Sequence, residues 1–150
     1  MRRPNAITLA LFVALGSTVN ASAVDESLPW AFNAPAAEGY SIALSAVEPA
    51  PGTPLARGTK VSFKVSVSYA MSVATHGRIV LVFQNEKNKA VKSDTAQVSQ
   101  EVSGAAGTAI LQQTILVPAG SREVRLFIPL VPDGITDTTG EVTLRYPIVK

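Results

Sequence analysis

In GTKVSFKVSVSY, residues 58–69, every odd position from Val61 to Tyr69 is apolar and every even position from Lys60 to Ser68 is Lys or Ser. Side chains two apart share one face of an extended chain, so this stretch reads as a strand with one buried face and one solvated face. The same period returns at Tyr40, Ile42, Leu44 and Ala46, at Val124, Leu126, Ile128 and Leu130, and at Val142, Leu144, Tyr146 and Ile148. Arg78–Gln84 is continuously apolar at its centre, the pattern of a strand buried on both faces. Thr108–Val117 reads as a long strand, Thr95–Val102 alternates weakly, and Ala90–Ser93 reads as a short edge strand guarded by Lys89 and Lys92. Turn chemistry separates these runs: EPAPGTP from Glu48, NEKNK from Asn85, SGAAG from Ser103, PAGS from Pro118 and PDG from Pro132. Ala70–Gly77 reads as a loop that carries the single histidine, His76.

Seven or eight short strands with a turn about every ten residues, and no helical period after the first 23 residues, predict an all-β fold. The expected architecture is a single antiparallel immunoglobulin-like β-sandwich over residues 39–150. A small closed barrel is the alternative; a jelly roll wants more strands. No internal repeat is evident.

The chain begins with Arg2 and Arg3, continues with an apolar run from Ile7 to Val19, and reaches Ala21-Ser22-Ala23. A positive start, a short apolar run and an A-x-A site define a secretory signal peptide over residues 1–23. The run is shorter than the roughly 20 residues a membrane-spanning helix needs. The expected location is therefore periplasmic or secreted, by a Sec-type route. No cysteine follows the run, which leaves no acceptor for a lipoprotein anchor. Residues 24–38, VDESLPWAFNAPAAE, read as an extended leader arm with the only tryptophan, Trp30.

Removing residues 1–23 changes the charge argument. The whole chain has 13 Lys and Arg against 11 Asp and Glu, and two of the basic residues, Arg2 and Arg3, leave with the signal. The remainder is formally neutral, so the basic stripe that nucleic-acid binding uses is not expected. The chain has no cysteine. Disulfides, thiol nucleophiles and thiolate metal ligands are thereby excluded.

GTKVSFKVSVSY, then RIVLVFQ, then LVPAGSREVRLFIPL together resemble bacterial extracytoplasmic immunoglobulin-like modules of the CARDB type. The likeness spans roughly residues 40–149 and consists of strands and turns with no invariant chemical residue. It implies the sandwich fold and an accessory or adhesion-like role, and it transfers no catalytic residue. The Asn-x-Gly turn usual after the second strand is replaced here by SYAMSVATHG.

Chemistry is sparse. A Ser-His-Asp arrangement needs a base, and only His76 is available, in a loop beside Ser72 and Thr75. One His and no Cys cannot build the common zinc sites. Asp133 and Asp137 flank a Gly-containing turn, with Glu141 beyond; this reads as a hairpin turn, with calcium as its other reading. No phosphate-binding glycine loop is present. The expectation is a non-enzyme without a cofactor or metal.

What remains is surface. If the even residues of Glu123–Val131 face inward, Arg125, Phe127, Pro129 and Val131 face outward. On the last strand Thr143, Arg145, Pro147 and Val149 do the same. Arg125, Phe127 and Arg145 beside the apolar residues of RIVLVFQ have the composition of an interface. Two readings stand together: an open binding face for another envelope or secreted protein, or a face covered by the leader through Leu28, Trp30 and Phe32. A carbohydrate- or envelope-binding module using Trp30 is the alternative function. The expected partners include no nucleic acid, and no membrane span is expected.

Overall fold

The structure is a computed structural model that describes Val24, Asp25 and residues 27–150. The signal peptide assigned to residues 1–23 lies outside the described residues. The strands are β1 (Ala31–Asn33), β2 (Tyr40–Glu48), β3 (Leu55–Ala56), β4 (Lys60–Met71), β5 (His76–Val80), β6 (Val82–Asn85), β7 (Ser99–Ser103), β8 (Ala106–Leu116), β9 (Glu123–Pro132) and β10 (Gly140–Val149). They form two sheets. The smaller runs β2-β4-β8, all antiparallel. The larger runs β1-β10-β9-β5-β7, with β6 also on β9 and β3 also on β10. Only the short β3 pairs in parallel. Consecutive strands that cross between two antiparallel sheets make this an immunoglobulin-like β-sandwich.

The alternation seen in the sequence is what closes the core. Phe63, Val65 and Val67 of β4 face Leu126, Ile128 and Leu130 of β9 and Leu144 and Tyr146 of β10 across the sandwich, all fully buried. Phe63 sits 5.0 Å from the rings of both Phe83 and Tyr146, edge-on to the latter. Such tilted contacts suit the ring quadrupole. The two buried tyrosine hydroxyls find carbonyls: Tyr69 Oη donates to Ser103 O at 2.9 Å and Tyr146 Oη to Pro49 O at 3.0 Å. Burial raises the Tyr146 phenol above its ordinary value.

Four local expectations are corrected. β4 runs on to Met71 and β5 starts at His76, so the loop read over Ala70–Gly77 shrinks. Arg78–Gln84 is divided at Leu81 into β5 and β6, although both keep one continuous register on β9, and Leu81 N–H donates to Val98 O at 2.9 Å as the next rung beside β7. Its outward residues Arg78, Val80 and Val82 are exposed or half-buried, so this segment is buried on one face only. Ala90–Ser93 is no strand: it makes isolated bridges at Ala90 and Ser93. Lys92 and Asp94 bond β8 while Val91 bonds Phe83 O, so this stretch straps the open side between the sheets. In β2, a register shift between Leu44 and Ala46 passes the inward position to Val47 and exposes Ala46. One extra residue flips every later side chain, as a β-bulge does.

Candidate functional site

β9 and β10 pair over residues 123–130 and 140–147, so their outward residues fall into rows. Arg125 stands opposite Arg145, Phe127 opposite Thr143, and Pro129 opposite Glu141. β6 extends the rows with Gln84 beside Arg125 and Val82 beside Phe127. On the other edge, β1 places Phe32 opposite Thr143. Partners in an antiparallel pair share a face. One row is therefore Phe32, Thr143, Phe127, Val82, and its neighbour holds Arg145, Arg125 and Gln84.

The leader arm decides what happens to these rows. Its backbone completes the β10 edge: Arg145 N–H donates to Trp30 O at 2.8 Å, and Ala34 N–H to Glu141 O at 2.9 Å. Arg145 is left only 4% exposed. A guanidinium carries five N–H donors, and all five of Arg145 are used. Nε donates to Glu123 Oε2 at 3.0 Å, and Nη2 to Glu123 Oε2 at 2.5 Å. Nη1 and Nη2 each donate to Asp25 O at 3.1 Å, and Nη1 also to Leu28 O at 3.2 Å. The Trp30 ring lies 5.2 Å from the guanidinium carbon. Trp30 in turn packs on Gly52, a left-handed residue at φ 81°, where an added Cβ would come within 2.8 Å of the indole Cγ. Glycine is required there on both counts.

Glu123 is 2% exposed and serves both arginines, since its Oε1 accepts from Arg125 Nε at 2.5 Å. A buried carboxylate between two guanidiniums is paired and hydrogen-bonded, the condition under which burial of charge is tolerated. Asp25 is held below the usual carboxylate range by the Ser27 hydroxyl and the Ser27 N–H, with the charge of Arg145 adding to them. Glu141 is raised by burial, against which the Thr143 hydroxyl pulls weakly.

Of the four residues expected to form an interface, the structure brings Arg125, Arg145 and Trp30 into or beside one cluster and leaves Phe127 in the next row. Arg145 is covered rather than open. The arm covers part of the face, and what stays accessible is Phe32 at 42% exposure, half-buried Phe127, Val82 and Val131, and one side of Arg125. Sequence reasoning missed Glu123, although alternation from Arg125 places it on the same outward face. It also missed the carbonyls of Asp25 and Leu28, which as backbone groups leave no residue signature.

The remaining candidates lie elsewhere. His76 is exposed at the start of β5 and lines a surface cavity of about 420 Å³ with Arg78, Glu101, Ser103 and Asp133. Its carbonyl accepts from Asp133 N–H at 3.0 Å. Asp137 is exposed in the loop before β10. Among the described residues, no group of three or more His, Asp or Glu is placed to hold a metal ion, and no helix is long and apolar enough to cross a membrane.

No protein-family model and no curated protein matches the chain. Among solved structures, it is similar to the apo-form Calx CBD1 domain at 10% identity, over 73% of this chain and 96% of that one, with a TM-score of 0.40. It is also similar to a family 123 glycoside hydrolase from Clostridium perfringens at 10% identity, over 65% of this chain and 22% of that one, with a TM-score of 0.31. Likeness at these scores carries nothing about ligand or chemistry. The resemblance to CARDB-type modules likewise stands on the sandwich fold alone.

Proposed function

We propose that this chain is an exported, non-catalytic β-sandwich module with a protein-binding or structural role in the bacterial envelope. It works through the accessible part of the outer face of the large sheet. The observation that carries the reading is the row Phe32, Thr143, Phe127, Val82 beside half-buried Arg125. It sets two aromatic rings and an aliphatic side chain next to a cation across four adjacent strands. Aromatic residues and Arg are the types enriched where proteins meet. The carbohydrate reading has less support, because the Trp30 ring is engaged by Arg145 and Gly52 instead of standing free.

Phe127→Asp tests the reading. The variant puts a charge in the middle of the row without touching the inward core. Pull-down from periplasmic and secreted extracts is expected to lose the partner captured by the parent chain, with circular dichroism unchanged. Retention of every partner by a folded Phe127→Asp chain overturns the assignment of this face.

A further inference from the structure

The arm and the domain are joined by contacts that do not depend on which copy of the chain supplies the arm. Residues 34–39 connect β1 to β2, and every side chain among them is exposed or half-exposed. This connector is tied down by backbone bonds, Ala34 N–H to Glu141 O and Ala37 N–H to Thr139 O at 2.7 Å. The arm itself buries little apolar surface: β1 is exposed at all three positions, and Leu28 and Phe32 are 50% and 42% exposed. Its hold comes from backbone pairing along β10, from carbonyls presented to Arg145 and from the Trp30 ring against Arg145 and Gly52.

The acceptor is specific nonetheless. An occupant must offer two main-chain carbonyls three residues apart to one guanidinium, then an indole over that guanidinium, then an extended tripeptide for the β10 edge. The sequence known to meet these demands is Asp25–Asn33 of this chain. We propose that the β10 edge is an arm-exchange interface, at which two copies swap Asp25–Asn33 so that the arm of each binds Arg145 and β10 of the other. Exchange keeps the contacts of the arm and leaves only the connector, with its bonds from Ala34 and Ala37, to rearrange, the condition that makes swapping a low-cost route to a dimer. It also brings a second molecule beside Leu28 and Phe32, which the closed chain leaves exposed. The formal neutrality of residues 24–150 sets no net repulsion between copies. This goes beyond the reading above, since it needs no foreign partner.

The absence of native cysteine allows a clean trap. Phe32 and Thr143 stand directly opposite on one face, so the double variant Phe32→Cys, Thr143→Cys oxidises within a chain when the arm is closed and between chains when it is exchanged. Expected on non-reducing gels is a reducible species of doubled mass whose share grows with protein concentration. Closed monomer alone at every concentration overturns the proposal. Should the cysteines disturb folding, isotopically light and heavy unsubstituted chains are concentrated together and read by native mass spectrometry. Mixed dimers are expected there, and monomer masses alone overturn it. The dimer is expected to persist in Phe127→Asp, which leaves the arm and its acceptor untouched. Its loss in that variant assigns dimerisation to the open sheet face and overturns arm exchange, whatever becomes of the partner-binding reading.

Discussion

The two sheets present outer faces that the alternating pattern alone makes equivalent, yet they end as opposites. On the small sheet the outward residues of β4 are Lys60, Ser62, Lys64, Ser66 and Ser68, paired with Leu116, Thr114, Gln112, Ile110 and Thr108 of β8. They are exposed or half-buried. Among the described residues, their one ion pair, Lys60 with Asp94 at 2.9 Å, is solvated on both sides and of the kind that adds little stability. On the large sheet the outward residues Glu123, Thr143 and Arg145 are each under 5% exposed. The arm makes the difference: a segment returns to one face and not to the other. Facing outward is a property of a strand, whereas being exposed depends on the rest of the chain.

The largest test of this contrast is Glu123→Ala. Removing the carboxylate strips two donors of Arg145 and one of Arg125 of their acceptor while leaving Arg145 under the arm. Breaking a buried pair from one side costs about 3–5 kcal/mol. The urea midpoint of unfolding is expected to fall accordingly. A loss below about 1 kcal/mol, the range of an exposed pair, would place the two faces on the same footing and break the comparison.

Trp30→Ala comes next. It removes the cation–π contact and the packing on Gly52 but leaves the backbone pairing of β1. The expected loss is about 1–2 kcal/mol, the scale of a desolvated cation–π contact. It should be local: hydrogen exchange at the amides of Arg145 and Ala34 is expected to quicken, with those of Val65 and Leu126 unchanged. Equal quickening at all four would mean that arm and core open as one unit.

These tests also mark what the sequence could and could not reveal. The inward sets of β4, β9 and β10 were legible residue by residue, because a period of two leaves no other buried face. The β2 bulge was not, since nothing in LSAVE announces where an extra residue sits. The break at Leu81 was hidden for a different reason: the apolar run continues unchanged, and so does the register on β9, with Ile79 opposite Leu130 and Val82 opposite Phe127. At the candidate site, the strand register puts Arg125, Phe127 and Arg145 on one outward face, and cover by the leader was one of two readings. The sequence does not choose between them, because Arg145 is held by backbone carbonyls 117 and 120 residues away in the chain.

Glu141→Gln sharpens the comparison at the border of the covered zone. Burial raises the Glu141 carboxyl above its ordinary value. A carboxylate raised in the folded state binds its proton more tightly there than in the unfolded chain, so its ionised form costs stability at neutral pH. That cost is relieved as pH falls through the raised value. Glu141→Gln is therefore expected to stabilise slightly at pH 7, by about 0.5 kcal/mol or less as for most partly exposed sites. The gain should shrink towards zero once both states of the parent are protonated. A pH-independent gain would trace to shape or hydrogen bonding instead of charge.

The smallest effect is expected on the small sheet, and it serves as the control for all the others. Replacing Ser62, Ser66 and Ser68 together by Thr touches three outward positions of β4. Only Ser62 has a side-chain partner, accepting from Gln112 Nε2 at 3.2 Å in an exposed position that Thr can keep. Thr favours strands through its branched Cβ. Each change should stay within about 0.5 kcal/mol, and partner capture should equal that of the parent chain. A net gain in stability is consistent with a purely structural face. Lost capture by a folded triple variant would instead move the binding surface to the Ser and Lys rows, and with it the meaning of the alternation from which the fold is read.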